Sequence, residues 1–432
     1  MTTIPTHNNT PALRFPDFLN DGEWEVKRLG DIAEKVTSKN KSNEQLPVLT
    51  NSATEGVVNQ QDYFDREIVT RENLTNYHII ELNDFVYNPR ISVAAPVGPI
   101  SRNKIGIGIM SPLYTIFKFK EGNIDFFEQY FRTNCWHQYL KDKANFGARF
   151  DRMNISNEDF FNLPIPFPPL AEQRRIAACL SALDEMLAAT NGKLEQLKAY
   201  KKGLMQNLFN QRGGVTNNIN KFIVGRLRFP EFRNEKEWEE KKLGECFIRL
   251  TERNKENNQN VLTISAQYGL VSQYDYFSKN IASTDVSNYF LISKGDFAYN
   301  KSRSQGHPYG AIKSLRLYDK GVVSPLYICF RKKDSDIDNR FVEYYFDTDS
   351  IDAEIGQIAQ EGARNHGLLN ISTNEFFDNV SISFPSLSEQ RKIASCLSTM
   401  DDQINAYTEK VGLLGQYKKG LMQRMFPQNQ MN

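Results

Sequence analysis

Ala171-Glu-Gln-Arg-Arg-Ile-Ala-Ala-Cys-Leu180 returns later in the chain as Ser388-Glu-Gln-Arg-Lys-Ile-Ala-Ser-Cys-Leu397. Each copy opens a proline-free stretch rich in helix formers, Ala171 to Phe209 and Ser388 to Phe426. In the first, Leu180, Leu187, Leu194, Lys201 and Leu208 fall on heptad position a, and Ile176, Leu183, Thr190, Leu197 and Leu204 on d. In the second, Leu397, Ile404, Val411, Lys418 and Met425 take a, and Ile393, Met400, Tyr407, Leu414 and Leu421 take d. A heptad held this long predicts coiled-coil packing. Each helix would run roughly 55–60 Å at 1.5 Å per residue, too long to bury its stripe on one small domain. The economical solution is that the two helices pack on each other. Pseudo-two-fold pairing of a covalent repeat predicts that they run antiparallel and hold two globular domains apart.

The repeat extends over the whole chain. Leu13-Arg-Phe-Pro-Asp-Phe18 matches Leu227-Arg-Phe-Pro-Glu-Phe232, and Asn83-Asp-Phe-Val-Tyr-Asn88 matches Gly295-Asp-Phe-Ala-Tyr-Asn300. Ser111-Pro-Leu-Tyr114 matches Ser324-Pro-Leu-Tyr327, and Gly147-Ala-Arg149 matches Gly362-Ala-Arg364. Such a period is far longer than a solenoid repeat, so the chain reads as a fused pseudo-dimer. Ahead of each helix, short Tyr-, Phe-, Ile- and Val-rich runs broken by Asn, Gly and Pro read as strands and turns, with helices over Asp125 to Tyr139 and Arg340 to Ile358. The fold class is α+β. The expected order is an N-terminal tail (1–20), a first mixed α/β domain (21–168), a long helix (169–210), a linker (211–226), a second domain (227–385) and a second long helix (386–427).

The 432 residues carry 53 Lys and Arg against 52 Asp and Glu, a net charge of +1. A uniformly basic nucleic-acid coat is excluded, and any polyanion must be held by local patches. The start of the chain has neither the basic nor the apolar part of a secretory signal, and no apolar run is long enough to span a bilayer. Five scattered cysteines without a C-x-x-C suggest reduced thiols in a cytoplasmic protein, and the five histidines show no metal-ligand spacing.

Enzymatic readings are weak. Asp17, Glu25 and Lys27, with Glu231, Glu239 and Lys241 in the second copy, imitate a metal-dependent nuclease layout without its strand context. Asn88-Pro89-Arg90 is half of an amino-methyltransferase motif, and Gly106 and Gly108 form only an isolated pair. The two copies agree instead at the helix ends. Glu172, Gln173 and Arg174 agree with Glu389, Gln390 and Arg391, and Tyr200 and Lys201 with Tyr417 and Lys418. Good capping explains the carboxylates. The wider agreement predicts that these ends bind two copies of one partner protein.

The F-P-x-L-x-E-Q-R-[RK]-I-A start, the Y-K-K-G-L-M-Q end, the [GN]-D-F-[AV]-Y-N and S-P-L-Y elements and the two-unit layout resemble the specificity subunit of type I DNA restriction-modification systems over nearly the whole chain. The resemblance implies two target-recognition domains, each reading half of a bipartite sequence in double-stranded DNA, and helices that set the distance between halves. It implies no catalysis and no cofactor in this chain. Two methyltransferase subunits and restriction-translocase subunits would be partners, bringing S-adenosylmethionine, ATP and Mg.

Base-reading loops should differ between domains that share a scaffold. The segment after the matched Tyr-Asn is Pro89-Arg-Ile-Ser-Val-Ala-Ala-Pro-Val-Gly98 in one copy and Lys301-Ser-Arg-Ser-Gln-Gly-His-Pro-Tyr-Gly310 in the other. Candidate DNA contacts are therefore Arg90, Arg102, Lys104 and Arg149 in the first domain. In the second they are Lys301, Arg303, Gln305, His307, Lys313, Arg364, Asn365 and His366. Different loops predict an asymmetric target. The competing reading is a coiled-coil scaffold whose domains bind proteins or glycans, which a salt titration of DNA binding separates.

Overall fold

The computed structural model describes residues 9–63, 74–144, 151–209, 227–265, 269–274, 285–303, 307–361, 367 and 369–427. The expected linker 211–226 and the candidates Arg149, Gln305, Arg364, Asn365 and His366 lie outside them. The chain divides into two units, one formed by Met1–Asn191 with Glu409–Asn432, the other by Gly192–Thr408. The first is discontinuous and the second is a single stretch, and each takes a piece of both long helices.

In the first unit, strands β1 (Ala33–Lys35), β2 (Phe85–Tyr87), β3 (Ile100–Arg102) and β4 (Thr115–Phe119) form an antiparallel sheet in the order β1-β4-β2-β3. Register pairs Phe85 with Phe117, whose rings stack 5.7 Å apart. Helix α1 (Ile124–Phe131) packs its Phe126, Phe127, Tyr130 and Phe131 into this core and starts where the Asn123 side chain accepts the Phe126 amide. A two-stranded ribbon of Glu25–Arg28 with Pro164–Phe167 closes the domain just before the long helix α2 (Leu170–Phe209).

The second unit repeats the plan. Strands β5 (Phe247–Leu250), β6 (Phe297–Asn300), β7 (Ala311–Ser314) and β8 (Ile328–Lys332) are ordered β5-β8-β6-β7, and Phe297 stacks on Phe330 at 5.3 Å. Helix α3 (Asn339–Phe346) is capped by Asp338, and Glu239–Lys242 pairs with Ser381–Phe384 ahead of the long helix α4 (Leu387–Met425).

Each core is completed by both long helices. In the first unit, Ile176 and Leu180 of α2 share a buried cluster with Met425 and Phe426 at the end of α4. In the second, Ile393 and Leu397 of α4 share one with Met205, Leu208 and Phe209 of α2. Full burial of such a side chain contributes about 1.5–3 kcal/mol. Within each unit the pairing is antiparallel. Lys418 reaches Asp184 while Phe426 sits with Ile176, and Lys201 reaches Asp401 while Phe209 sits with Ile393. Every expected a and d residue is buried or half-buried, as the heptads predict.

Candidate nucleic-acid interface

The divergent loops sit in equivalent frames. At the entry, the Asn88 side-chain oxygen accepts the Arg90 amide at 3.0 Å, and that of Asn300 accepts the Ser302 amide at 3.1 Å. The first loop residues then pair with a later segment. The Ile91 amide donates to the Asp151 carbonyl and the Met153 amide to that of Pro89; in the second copy Arg303 donates to Gly367 and Leu369 to Lys301. At the exit, the Tyr87 hydroxyl donates to the Val97 carbonyl at 3.0 Å and that of Tyr299 to Tyr309 at 2.5 Å. Burial pushes both phenols well up, so each remains a donor.

Gly98 and Gly310 close the loops at φ of 80° and 86°. A Cβ at either would overlap the carbonyl oxygen of Asn88 or Asn300. Only glycine satisfies both the left-handed backbone and that close approach.

Among the candidate cations, Arg90 and Arg303 are exposed. Lys104 is exposed too, with its ammonium 2.7 Å from Glu128. Lys301 is half-buried, and burial pulls its ammonium down. His307 is half-buried in the field of Asp352. Arg102 and Lys313 turn inward, contrary to the sequence-based expectation. Arg102 donates to Asn83 and pairs with Asp125 at 2.5 Å and Glu128 at 3.4 Å. Lys313, 6% exposed, pairs with Asp347 at 2.5 Å. Each ties the edge strand to the helix packed across it. A buried or part-buried cation needs a carboxylate, and strands β3 and β7 hold these side chains against α1 and α3. The outward loop residues Ser92, Val93 and Ala94 escaped the sequence reading, which searched for charge.

The helix starts are likewise committed inside the chain. Arg14 grips both oxygens of Glu172 at 2.8 Å, and Trp24 donates to the same carboxylate at 3.1 Å. Hydrogen bonding to Glu172 raises the Arg14 guanidinium further. Arg228 grips Glu389 at 2.8 and 2.6 Å. Gln173 accepts the Asn123 amide and donates to Pro168, while Gln390 accepts the Asp338 amide and donates to Pro385. All four Glu and Gln side chains are buried. Their agreement between copies is therefore a lock between domain and helix, where a partner surface had been expected.

Lys201 and Lys418 also face inward, pairing with Asp401 and Asp184 at 2.5 Å. Burial pulls the Lys418 ammonium down, more than Asp184 restores it. Burial alone would raise Asp184, but donation from Lys418 and Gln129 and the charge of Arg132 hold it lower. Of the expected partner residues, Arg174, Arg391, Tyr200 and Tyr417 remain exposed, the tyrosines at 66% and 59%.

Among the described residues no three His, Cys, Asp or Glu side chains converge as a metal site, and no helix is long and apolar enough to cross a membrane.

The family described as the type I restriction modification DNA specificity domain matches this chain twice, over residues 21–199 and 235–412. The chain belongs to that family. A Methanocaldococcus jannaschii protein named as a type I restriction enzyme MjaX specificity subunit is 23% identical over 93% of this chain and 92% of its own. The fold is that of the type I restriction-modification S subunit from M. genitalium, with a TM-score of 0.56 at 14% identity over 98% of this chain and all of that one. A chain from a structure of type I R-M complex assembly and conformational transition gives 0.52 at 16% identity, covering 94% and 98%. As a specificity subunit the chain carries two target-recognition domains, and the scaffold reading is set aside.

Proposed function

We propose that this specificity subunit reads a bipartite, asymmetric sequence in double-stranded DNA, contributes no catalytic group, and docks two methyltransferase subunits, with restriction-translocase subunits added for cleavage. Its setting is the cytoplasm. S-adenosylmethionine, ATP and Mg belong to the partner chains. The observation that carries this reading is the pair of matched loop frames with unlike side chains. Shared frames hold two readers in one geometry, while unlike base-facing groups select unlike half-sites.

The first unit presents Arg174 and Tyr417, and the second Arg391 and Tyr200. Each unit thus offers one exposed arginine and one exposed tyrosine of the repeated set, which suits two copies of one partner. Tyr and Arg are the usual anchors of such contacts.

Reconstitution tests the proposal. The chain mixed with its methyltransferase subunit should methylate a two-part sequence with a fixed gap, and the chain alone should methylate nothing. Binding should fall steeply with salt as counterions are released. Methylation by the isolated chain, or an uninterrupted target, would refute the assignment. Tyr200→Ala with Tyr417→Ala should weaken capture of that subunit at least tenfold while leaving melting unchanged.

A further inference from the structure

Resting on that reading, we infer that Arg90, Val93 and Ala94 are the base-reading positions of the first domain, displayed on a frame that does not depend on them. The loop sorts its residues by direction. Arg90, Ser92, Val93, Ala94 and Pro96 are exposed, with Val93 bare to solvent, while Ala95 and Val97 are buried and Ile91 packs on the domain core.

The frame is built almost wholly from backbone. The pairing of Pro89 and Ile91 with Met153 and Asp151 uses amides and carbonyls alone, as do the reciprocal bonds between Ser92 and Ala95 and the bond from the Gly98 amide to Ala95. The frame also needs the side chains of Tyr87 and Asn88, the Ser92 hydroxyl, which accepts the Ala95 amide at 3.1 Å, and a glycine at 98; in sequence Tyr299, Asn300, Ser304 and Gly310 stand at the same places in the second copy. Nine residues lie between the Asn and the Gly in both copies. What is retained in sequence is the holder, with Ser92 and Pro96 recurring as Ser304 and Pro308, and what changes is Arg90, Val93 and Ala94, which are Ser302, Gln305 and Gly306 in the second copy.

The chemistry of that set names its target. Arg90 offers a guanidinium for a guanine edge or a phosphate, and Val93 and Ala94 offer methyl groups of the kind that pack on a thymine methyl in the major groove. A phosphate contact alone needs neither apolar residue. The occupant is therefore a base-pair edge of duplex DNA.

The test gives the first loop the residues that stand at the same places in the second copy's sequence, Arg90→Ser, Val93→Gln and Ala94→Gly together, in the full chain assembled with its methyltransferase subunit. Methylated sequences are mapped on randomised duplex DNA. Preference at bases in one half of the target should change at least tenfold, with the other half and the gap unchanged. Identical preference at every base would overturn the inference. So would loss of melting stability or of methyltransferase capture, since either means the outward residues serve the fold or a protein partner. If methylation vanishes, competition binding decides. Loss of the target's advantage over random DNA supports the inference, and an equal loss for both overturns it. A wild-type assembly that methylates no bipartite sequence would instead sink the proposed function, whatever the variant does.

Discussion

Replacing Phe426 with alanine should loosen the first recognition domain, although Phe426 follows the second in sequence. Its ring is fully buried, 5.4 Å from Phe126 and 5.9 Å from Tyr130, in the cluster that holds Ile176 and Leu180. Phe209 is the counterpart, 1% exposed and 5.5 Å and 5.7 Å from Phe341 and Tyr345 of the second domain. Truncating a buried phenylalanine costs about 3–5 kcal/mol, from lost transfer energy and the cavity left behind. At about 1.4 kcal/mol per factor of ten, local opening should become roughly a hundred- to several-thousand-fold more frequent. Hydrogen exchange read by mass spectrometry localises the effect. Phe426→Ala should speed exchange in peptides covering Ile124–Phe131, and Phe209→Ala in those covering Asn339–Phe346. If Phe426→Ala instead weakened protection only in the second domain, the assignment of helix ends to cores would be wrong.

Gly98→Ala should cost about 1–3 kcal/mol in backbone strain alone, with more from the overlap at the Asn88 carbonyl, and it should blur one half of the methylated target; denaturant titration and methylation mapping check both. Glu172→Gln strands Arg14, whose side chain is 4% exposed, and should cost about 3–5 kcal/mol, whereas Arg14→Met with Glu172→Met should recover most of it in the same titration. His137 is a pH prediction. Burial, with help from Lys141, lowers it from 6.5 to about 4, so the unfolded chain binds the proton more readily between those values. Melting temperature should fall as pH drops through that window, and His137→Gln should flatten the slope there.

The large features were legible in the sequence because they are written in periods and repeats. The heptads of Ala171–Phe209 and Ser388–Phe426 announced two long paired helices, since every a and d residue lies on one stripe wherever the helix goes. The matched Tyr-Asn and Ser-Pro-Leu-Tyr elements bracketed the variable loops in the sequence, and the structure adds that Gly98 and Gly310 recur because the backbone there requires glycine.

Direction and partnership were decided in three dimensions. A repeated Glu-Gln pair at a helix start reads equally well as a cap, a docking patch or an internal lock. Only the approach of Arg14 and Asn123 from the neighbouring domain makes it a lock. Lys418 on a heptad a position looked available to a partner, yet its carboxylate stands 234 residues earlier, at Asp184. Arg102 and Lys313 carry charges that suit DNA and spend them on α1 and α3. Local pattern follows from the covalent order of the chain, because neighbours in sequence share one helix or strand. Which charge meets which, and which helix end completes which core, follows from proximity that folding creates between distant segments, where a buried charge must find its opposite.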